Sequence, residues 1–213
     1  GRTLIPPRHI FRAMSDSHYF SSKPTAEDRR GLIRTILRGK RYEFITSRGV
    51  FSSKKVDKGT RILVENMVLP EEGRLLDMGC GIGIIGIVAA RETPDLKVVM
   101  TDINQRAVEL TRLNAKRNRV TNIRVHEGFL YEPMGDTKFD TIVSNPPISA
   151  GMRKVVFPLV EGAKERLVEG GTLQLVIQSN KGGKMLAGAI DEAFGEHTVL
   201  ARKSGYRVLF AAG

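Results

Sequence analysis

The rhythm of apolar and polar positions changes near residue 73. From there onward, short apolar runs alternate with stretches of helical spacing. The runs predict seven strands, over 74–78, 97–101, 123–126, 139–144, 172–178, 197–202 and 206–210. The stretches between them predict helices over 84–91, 105–117, 155–168 and 183–194, with Pro158 in a first turn where its missing N–H costs little. Such alternation implies an α/β domain with a mostly parallel sheet covered on both faces. Gly195 and the last two strands predict a hairpin that adds an antiparallel edge.

Before residue 73 the pattern is different. Thr25 followed by Glu27 and Asp28 predicts a short helix whose apolar face is Leu32, Ile33, Ile36 and Leu37, ended by Gly39. Apolar residues on either side of Ser47-Arg48-Gly49 predict a hairpin of 42–46 with 50–52, and Asp57 caps a second helix through Ile62, Leu63 and Val64. Residues 14–72 thus form a small N-terminal cap, too small to be stable alone, on a main domain of 73–213. Residues 1–13 carry Pro6-Pro7 and three arginines without periodicity and precede the first methionine, Met14. They read as a leader added for expression, the alternative being a basic arm.

Composition narrows the function classes. The 213 residues suit one domain, and 41% hydrophobic content is ample for a core. No apolar run approaches the roughly 18–20 residues of a membrane span, and there is no secretory signal. The single Cys80 rules out a disulfide framework, and the four histidines show no metal-ligand spacing. A cytoplasmic, metal-free protein is expected. Lys and Arg number 34 against 23 Asp and Glu, a net charge of +11. That excess favours a polyanion, because each neutralised phosphate releases counterions; the alternative is a solvated surface on a heat-adapted protein. Eleven basic and two acidic residues lie between Arg29 and Arg61, which makes Arg29, Arg30, Lys54 and Lys55 candidate RNA contacts.

The first chemical motif is Leu75-Leu76-Asp77-Met78-Gly79-Cys80-Gly81-Ile82-Gly83-Ile84-Ile85-Gly86: a strand, a glycine-rich turn and a helix start. Glycines at 79, 81 and 83 let the backbone turn sharply and approach a ligand closely. A bare GxGxxG also fits a nicotinamide dinucleotide. Asp77 discriminates, since a strand-end carboxylate repels a pyrophosphate but suits the ammonium of a methionine moiety. Asp102 ends the next strand and can accept both ribose hydroxyls, with Ile103 following it. The set favours S-adenosylmethionine, held around Asp77, Gly79, Cys80, Gly81, Gly83, Asp102 and Ile103. Cys80 reads as a small packing residue and His126 as structural.

The second motif, Ser144-Asn145-Pro146-Pro147-Ile148, puts a carboxamide at the carboxyl end of the fourth strand of the main domain, where open α/β sheets bind ligands. An amine conjugated with a base ring is a poor nucleophile because its lone pair is delocalised. The Asn145 side-chain oxygen and the Pro146 carbonyl can accept its two N–H bonds, hold the nitrogen and stabilise the charge that develops on it. Asn145 and Pro146 are the candidate catalytic pair.

DMGCGIGIIG and SNPPI, with VFSSKKVDKGTRIL upstream, resemble the small-domain methyltransferases related to ribosomal RNA guanine-N2 methyltransferases, from His18 onward. The resemblance implies a Rossmann-like seven-stranded methyltransferase sheet, S-adenosylmethionine as donor and RNA as the usual substrate. It implies that Lys58, Gly59 and Thr60 approach the methionine end of the donor, and that Leu130 lies near the adenine. Phe129 stands where relatives often carry an Asp for the adenine amine, so adenine recognition relies more on apolar contact. Ile148 stands where relatives often carry an aromatic ring beside Pro147, so stacking on the base falls to Phe51 or Tyr206. A smaller residue at 148 favours cytosine N4 over guanine N2 and leaves room for a second methyl. Two other readings compete. A protein glutamine N-methyltransferase also uses NPP, and an NAD-type oxidoreductase accounts for the glycine turn but not for Asn145-Pro146-Pro147.

Overall fold

A computed structural model describes residues 30–48, 50 and 54–213. The N-terminal part corrects the pattern reading. Arg30–Leu37 is a strand (β1), not a helix, and it pairs antiparallel with Lys40–Ser47 (β2) around Arg38-Gly39. Ile33 and Leu37 turn inward, whereas Leu32, Arg34 and Ile36 face out, so the true period is two. Arg38 (φ 48°) and Gly39 (φ 76°) are both left-handed, as a two-residue hairpin turn of this type requires. Arg38 tolerates that conformation because its guanidinium donates to the carbonyls of Val64 and Met67, at 3.0 and 3.1 Å. The hairpin expected at 47–49 has its turn bond, from the Val50 N–H to the Ser47 carbonyl at 3.2 Å. Its second arm at 51–52, like Thr25 and Asp28, lies outside the described residues.

The helix capped by Asp57 is present as Lys58–Asn66 (α1), with the carboxylate accepting from the Thr60 N–H at 3.0 Å. The main sheet follows the expected plan: Gly73–Met78 (β3), Ile84–Glu92 (α2), Leu96–Asp102 (β4), Gln105–Arg117 (α3), Ile123–Glu127 (β5), Phe139–Ser144 (β6), Phe157–Arg166 (α4), Leu167–Gln178 (β7), Lys184–Phe194 (α5), Thr198–Lys203 (β8) and Tyr206–Ala212 (β9). Strand order is β5-β4-β3-β6-β7-β9-β8. The first five are parallel; β9 runs antiparallel to both β7 and β8. This is the seven-stranded Rossmann-like sheet that the sequence predicts.

Each sheet face has its own core. Leu75, Val98 and Met100 pack with the hairpin, α1, α2 and α3, while Leu76, Ile142, Leu173 and Leu175 pack with α4 and α5. Residues Ile84 to Ala90 are all buried, which is why α2 is apolar all round rather than amphipathic. The outer edge of β2 is sealed by one side chain of α3 and that of its C-cap residue. Asn114 accepts from the Ile45 N–H (2.6 Å) and donates to its carbonyl (3.0 Å); Asn118 does the same for Glu43 at 3.1 and 2.8 Å.

Candidate active site

The carboxyl ends of β3, β4 and β6 are laced together. The Cys80 N–H donates to the Thr101 carbonyl at 2.8 Å, the Gly81 N–H to Asp102 Oδ2 at 2.9 Å, and Ser144 Oγ to the Met78 carbonyl at 2.6 Å. Gly79, Gly81 and Gly83 all have positive φ, at 70, 57 and 89°, where a side chain would be strained. At Gly79 and Gly81 a Cβ would meet nothing within 4 Å, so the turn presents open backbone to the face above the sheet. Gly83 is instead filled from behind by Thr111, whose hydroxyl also donates to the Gly81 carbonyl at 2.9 Å.

Asp77 departs from the expectation of an exposed strand-end carboxylate: it is fully buried. One oxygen accepts from the Gly86 N–H at 2.8 Å, an approach that a side chain at Gly86 would obstruct. The other, Oδ1, is buried without a partner among the described residues. Desolvation raises its pKa from 3.8 to about 7, against the Gly86 hydrogen bond and with help from the nearby Asp102 charge. Asp102 itself sits half-buried at the end of β4, its second oxygen accepting from the Asn104 N–H at 2.9 Å, with Ile103 exposed beside it. Burial also pushes the Cys80 thiol well up, and its sulfur lies 3.6 Å from the Thr111 hydroxyl, so it stays a protonated packing group.

Asn145 stands at the end of β6, next to β3 in the sheet. Its amide nitrogen donates to Thr60 Oγ1 at 3.0 Å and to Asp57 Oδ1 at 3.3 Å. Both N–H groups are therefore committed to the start of α1, and the side-chain oxygen is left as the acceptor. The family of this arrangement follows from the whole span that carries it: the model of the methyltransferase small domain matches residues 41–210. The chain belongs to the methyltransferase small domain family.

Among similar proteins, the uncharacterised protein YbxB of Bacillus subtilis is 38% identical over 91% of this chain and 97% of its own length. Ribosomal RNA small subunit methyltransferase C of Escherichia coli K12 is 31% identical over 75% of this chain and 46% of its own. The Thermus thermophilus 16S rRNA N2 G1207 methyltransferase, solved with AdoMet and guanosine, superposes with a TM-score of 0.76 at 27% identity, covering 86% of this chain and 50% of that one. The chain spans about half the length of these ribosomal RNA enzymes, but nearly all of the Bacillus relative.

Within this methyltransferase small domain, the remaining expected residues fall as follows. Gly59 is buried with the Tyr206 ring 3.0 Å from where its Cβ would stand, so Tyr206 lies beside Asn145's anchor; Lys58 is exposed next to them. Phe129 and Leu130 are half-buried after β5, Leu130 in the left-handed region at φ 48°. Pro146 is buried and Pro147 exposed. Ile148 is partly buried and packs against the core that includes α4 and α5. Arg30 and Lys54 are exposed; Phe51 and Arg29 lie outside the described residues. The sequence reading used Asp57 only as a helix cap and missed its bond to Asn145. The signal available was VDKGT itself, since an N-cap carboxylate and a threonine three residues later share one helix end.

Proposed function

We propose that this protein transfers the methyl group of S-adenosylmethionine to the N2 amine of a guanine in small-subunit ribosomal RNA. The observation that carries the reading is Asn145, with both amide protons held by Asp57 and Thr60 and its oxygen without a hydrogen bond among the described residues, at the end of the strand next to the one that leads into the glycine turn. The Asp57 carboxylate on the amide N–H polarises the group and makes that oxygen a better acceptor. Asn145 Oδ1 and the Pro146 carbonyl then take the two N–H bonds of the target amine and stabilise positive charge as it forms. Orientation supplies much of the acceleration, and no covalent intermediate on the protein is required.

The residues present fit S-adenosylmethionine. Gly79 and Gly81 leave room for close approach, the Asp102 carboxylate suits ribose hydroxyls, and the unpartnered Asp77 oxygen puts negative potential behind the turn. The ionised form of Asp77, which prevails above about pH 7, disfavours a dinucleotide pyrophosphate. When bound, the donor supplies an electrophilic methyl group on a sulfonium. Among the described residues no group of His, Cys, Asp and Glu could hold a metal, and no helix is long and apolar enough to cross a membrane. Action on ribosomal RNA puts the work in the cytoplasm.

The base preference moves from cytosine N4 to guanine N2. The preference for cytosine rested on spare room at Ile148, whose side chain packs on the core instead. The relative solved with guanosine supports the purine. Unmodified small-subunit ribosomal RNA, labelled donor and nucleoside digestion test this directly, with label expected in N2-methylguanosine. Label in N4-methylcytidine, in N6-methyladenosine or only in protein glutamine would overturn it. In the same assay Asn145→Ala should lose at least about a hundredfold in turnover, the scale of removing one charge-stabilising acceptor.

A further inference from the structure

The reaction face divides at Asn145. The glycine turn and Asp102 occupy the ends of β3 and β4, whereas the ends of β6, β7 and β8 carry cations. Arg153 and Lys154 lie in the loop after β6, Lys181 and Lys184 follow β7, and Arg202 and Lys203 end β8. All six are exposed, and none of their side chains makes a hydrogen bond or ion pair among the described residues. No Asp or Glu occurs in 141–160, 170–190 or 197–213, so these three loops bring no counter-charge of their own.

The loops form one continuous rim. Gly182, after β7, has its Cβ position 3.4 Å from the sulfur of Met152, after β6. The Ser179 N–H donates to the Gly205 carbonyl at 2.8 Å, and Arg207 Nε donates to Ser179 Oγ at 2.9 Å, joining the β7 loop to the β8–β9 turn. Tyr206, in that same turn region, packs on Gly59, whose neighbour Thr60 holds Asn145.

The N-terminal basic segment contrasts with this. Glu43 takes both Arg34 (2.9 Å) and Arg117 (2.6 Å), and Glu92 takes Lys40 at 2.9 Å and Arg38 at 3.6 Å. Arg61 donates to the Ile36 carbonyl and the Thr35 hydroxyl. Much of that charge holds the hairpin in place.

We propose that the rim carrying Arg153, Lys154, Lys181, Lys184, Arg202 and Lys203 is the docking surface for the RNA backbone that flanks the target base. The inference rests on the proposed RNA substrate and names where on this chain it is held. The ends of β6, β7, β9 and β8, spaced about 4.8 Å apart, span about 14 Å. At about 3.4 Å per stacked nucleotide that length accommodates about four phosphates. Unpaired Lys and Arg spread along such a length suit a phosphodiester chain that enters and leaves beside the acceptor.

The test uses the whole chain and an unmodified small-subunit ribosomal RNA transcript, with binding measured between 50 and 200 mM salt. Lys181→Ala/Lys184→Ala and Arg202→Ala/Lys203→Ala should each weaken binding about tenfold and flatten the log–log salt slope by about 1.4 to 1.8, the loss of two phosphate contacts. Calorimetric affinity for S-adenosylmethionine should stay at the wild-type value, which shows that the variants fold. Lys97→Ala/Arg124→Ala removes the same charge from exposed positions near the β4–β5 edge and should leave the slope within about 0.3 of wild type. Rim variants that behave like this control would overturn the proposal, as would wild-type protein that binds poly-glutamate but not RNA. RNA bound through the rim without methyl transfer would sink the proposed reaction and leave the docking surface standing. Transfer to guanine with unchanged slopes would do the reverse.

Discussion

Asp77 holds one oxygen on the Gly86 N–H and keeps the other unpartnered in a place closed to water. A buried carboxylate in that position is a cost to the fold, and the sign of its pH dependence follows. Its pKa is about 7 in the folded chain against an ordinary 3.8, so between these values the folded state binds a proton that the unfolded state has released. Its contribution is therefore most favourable below about pH 4, declines as pH rises to about 7 and stays unfavourable above that. Asp77→Asn keeps an acceptor for Gly86 but removes the charge. It should raise stability at pH 8 by on the order of a few kcal/mol and flatten the stability profile between pH 4 and 7 in urea titrations. Asp77→Ala, which orphans the Gly86 N–H, should forfeit about 1–3 kcal/mol relative to Asn. Both should bind S-adenosylmethionine at least about tenfold more weakly. An Asn variant that loses stability at pH 8 would show that the carboxylate is held charged by something other than the groups seen around it.

At the scale of elements, legibility followed periodicity. The seven strands of the main sheet and helices α1 to α5 were readable because apolar runs and helical spacing were separated by glycine, proline and capping residues. Residues 30–37 were not, because Leu32, Ile33, Ile36 and Leu37 satisfy a helical spacing while the chain uses only the alternate set, Ile33 and Leu37, inward. What decides for strand is tertiary: the edge seal by α3 and the Arg38 clamp on α1, neither visible in a local window. Of the candidate site, both motifs were readable as chemistry, whereas the burial of Asp77 and the hold of Asp57 on Asn145 depend on which strand ends the topology brings together. Asn114 shows how tightly those levels are joined. It is fully buried and bonds Ile45 on both backbone groups and the Ile82 carbonyl, inside the glycine turn, at 2.9 Å. Asn114→Ala leaves three backbone groups unpaired, one buried and two part-buried, so it should cost about 2 kcal/mol or more in denaturant unfolding and weaken donor binding as well. A change below about 1 kcal/mol would mean that the hairpin seals its edge in another way.

For the molecule as a whole, the strand order sets the glycine turn against the cationic rim, with Asn145 at the boundary where β3 meets β6. Ligands of open α/β sheets bind where connections depart in opposite directions, and here α2 and α4 leave towards opposite faces of the sheet. The donor half is built from three left-handed glycines, a left-handed Leu130 and an Asp77 oxygen unpartnered among the described residues. A ligand that binds only this folded arrangement must stabilise it by mass action. S-adenosylmethionine at about a hundred times its Kd should add about 2.7 kcal/mol. For a chain of this size that is a rise in Tm of about 5–10 °C. A nicotinamide dinucleotide at the same concentration should give no shift at pH 8, where the Asp77 carboxylate is ionised behind the turn. The donor's shift should also be nearly insensitive to salt between 50 and 200 mM, because its contacts are made at buried and half-buried groups rather than along the rim. Calorimetric scans with each ligand at two salt concentrations separate these outcomes. An equal shift from the dinucleotide, or a donor shift that collapses with salt, would place the donor elsewhere on the surface.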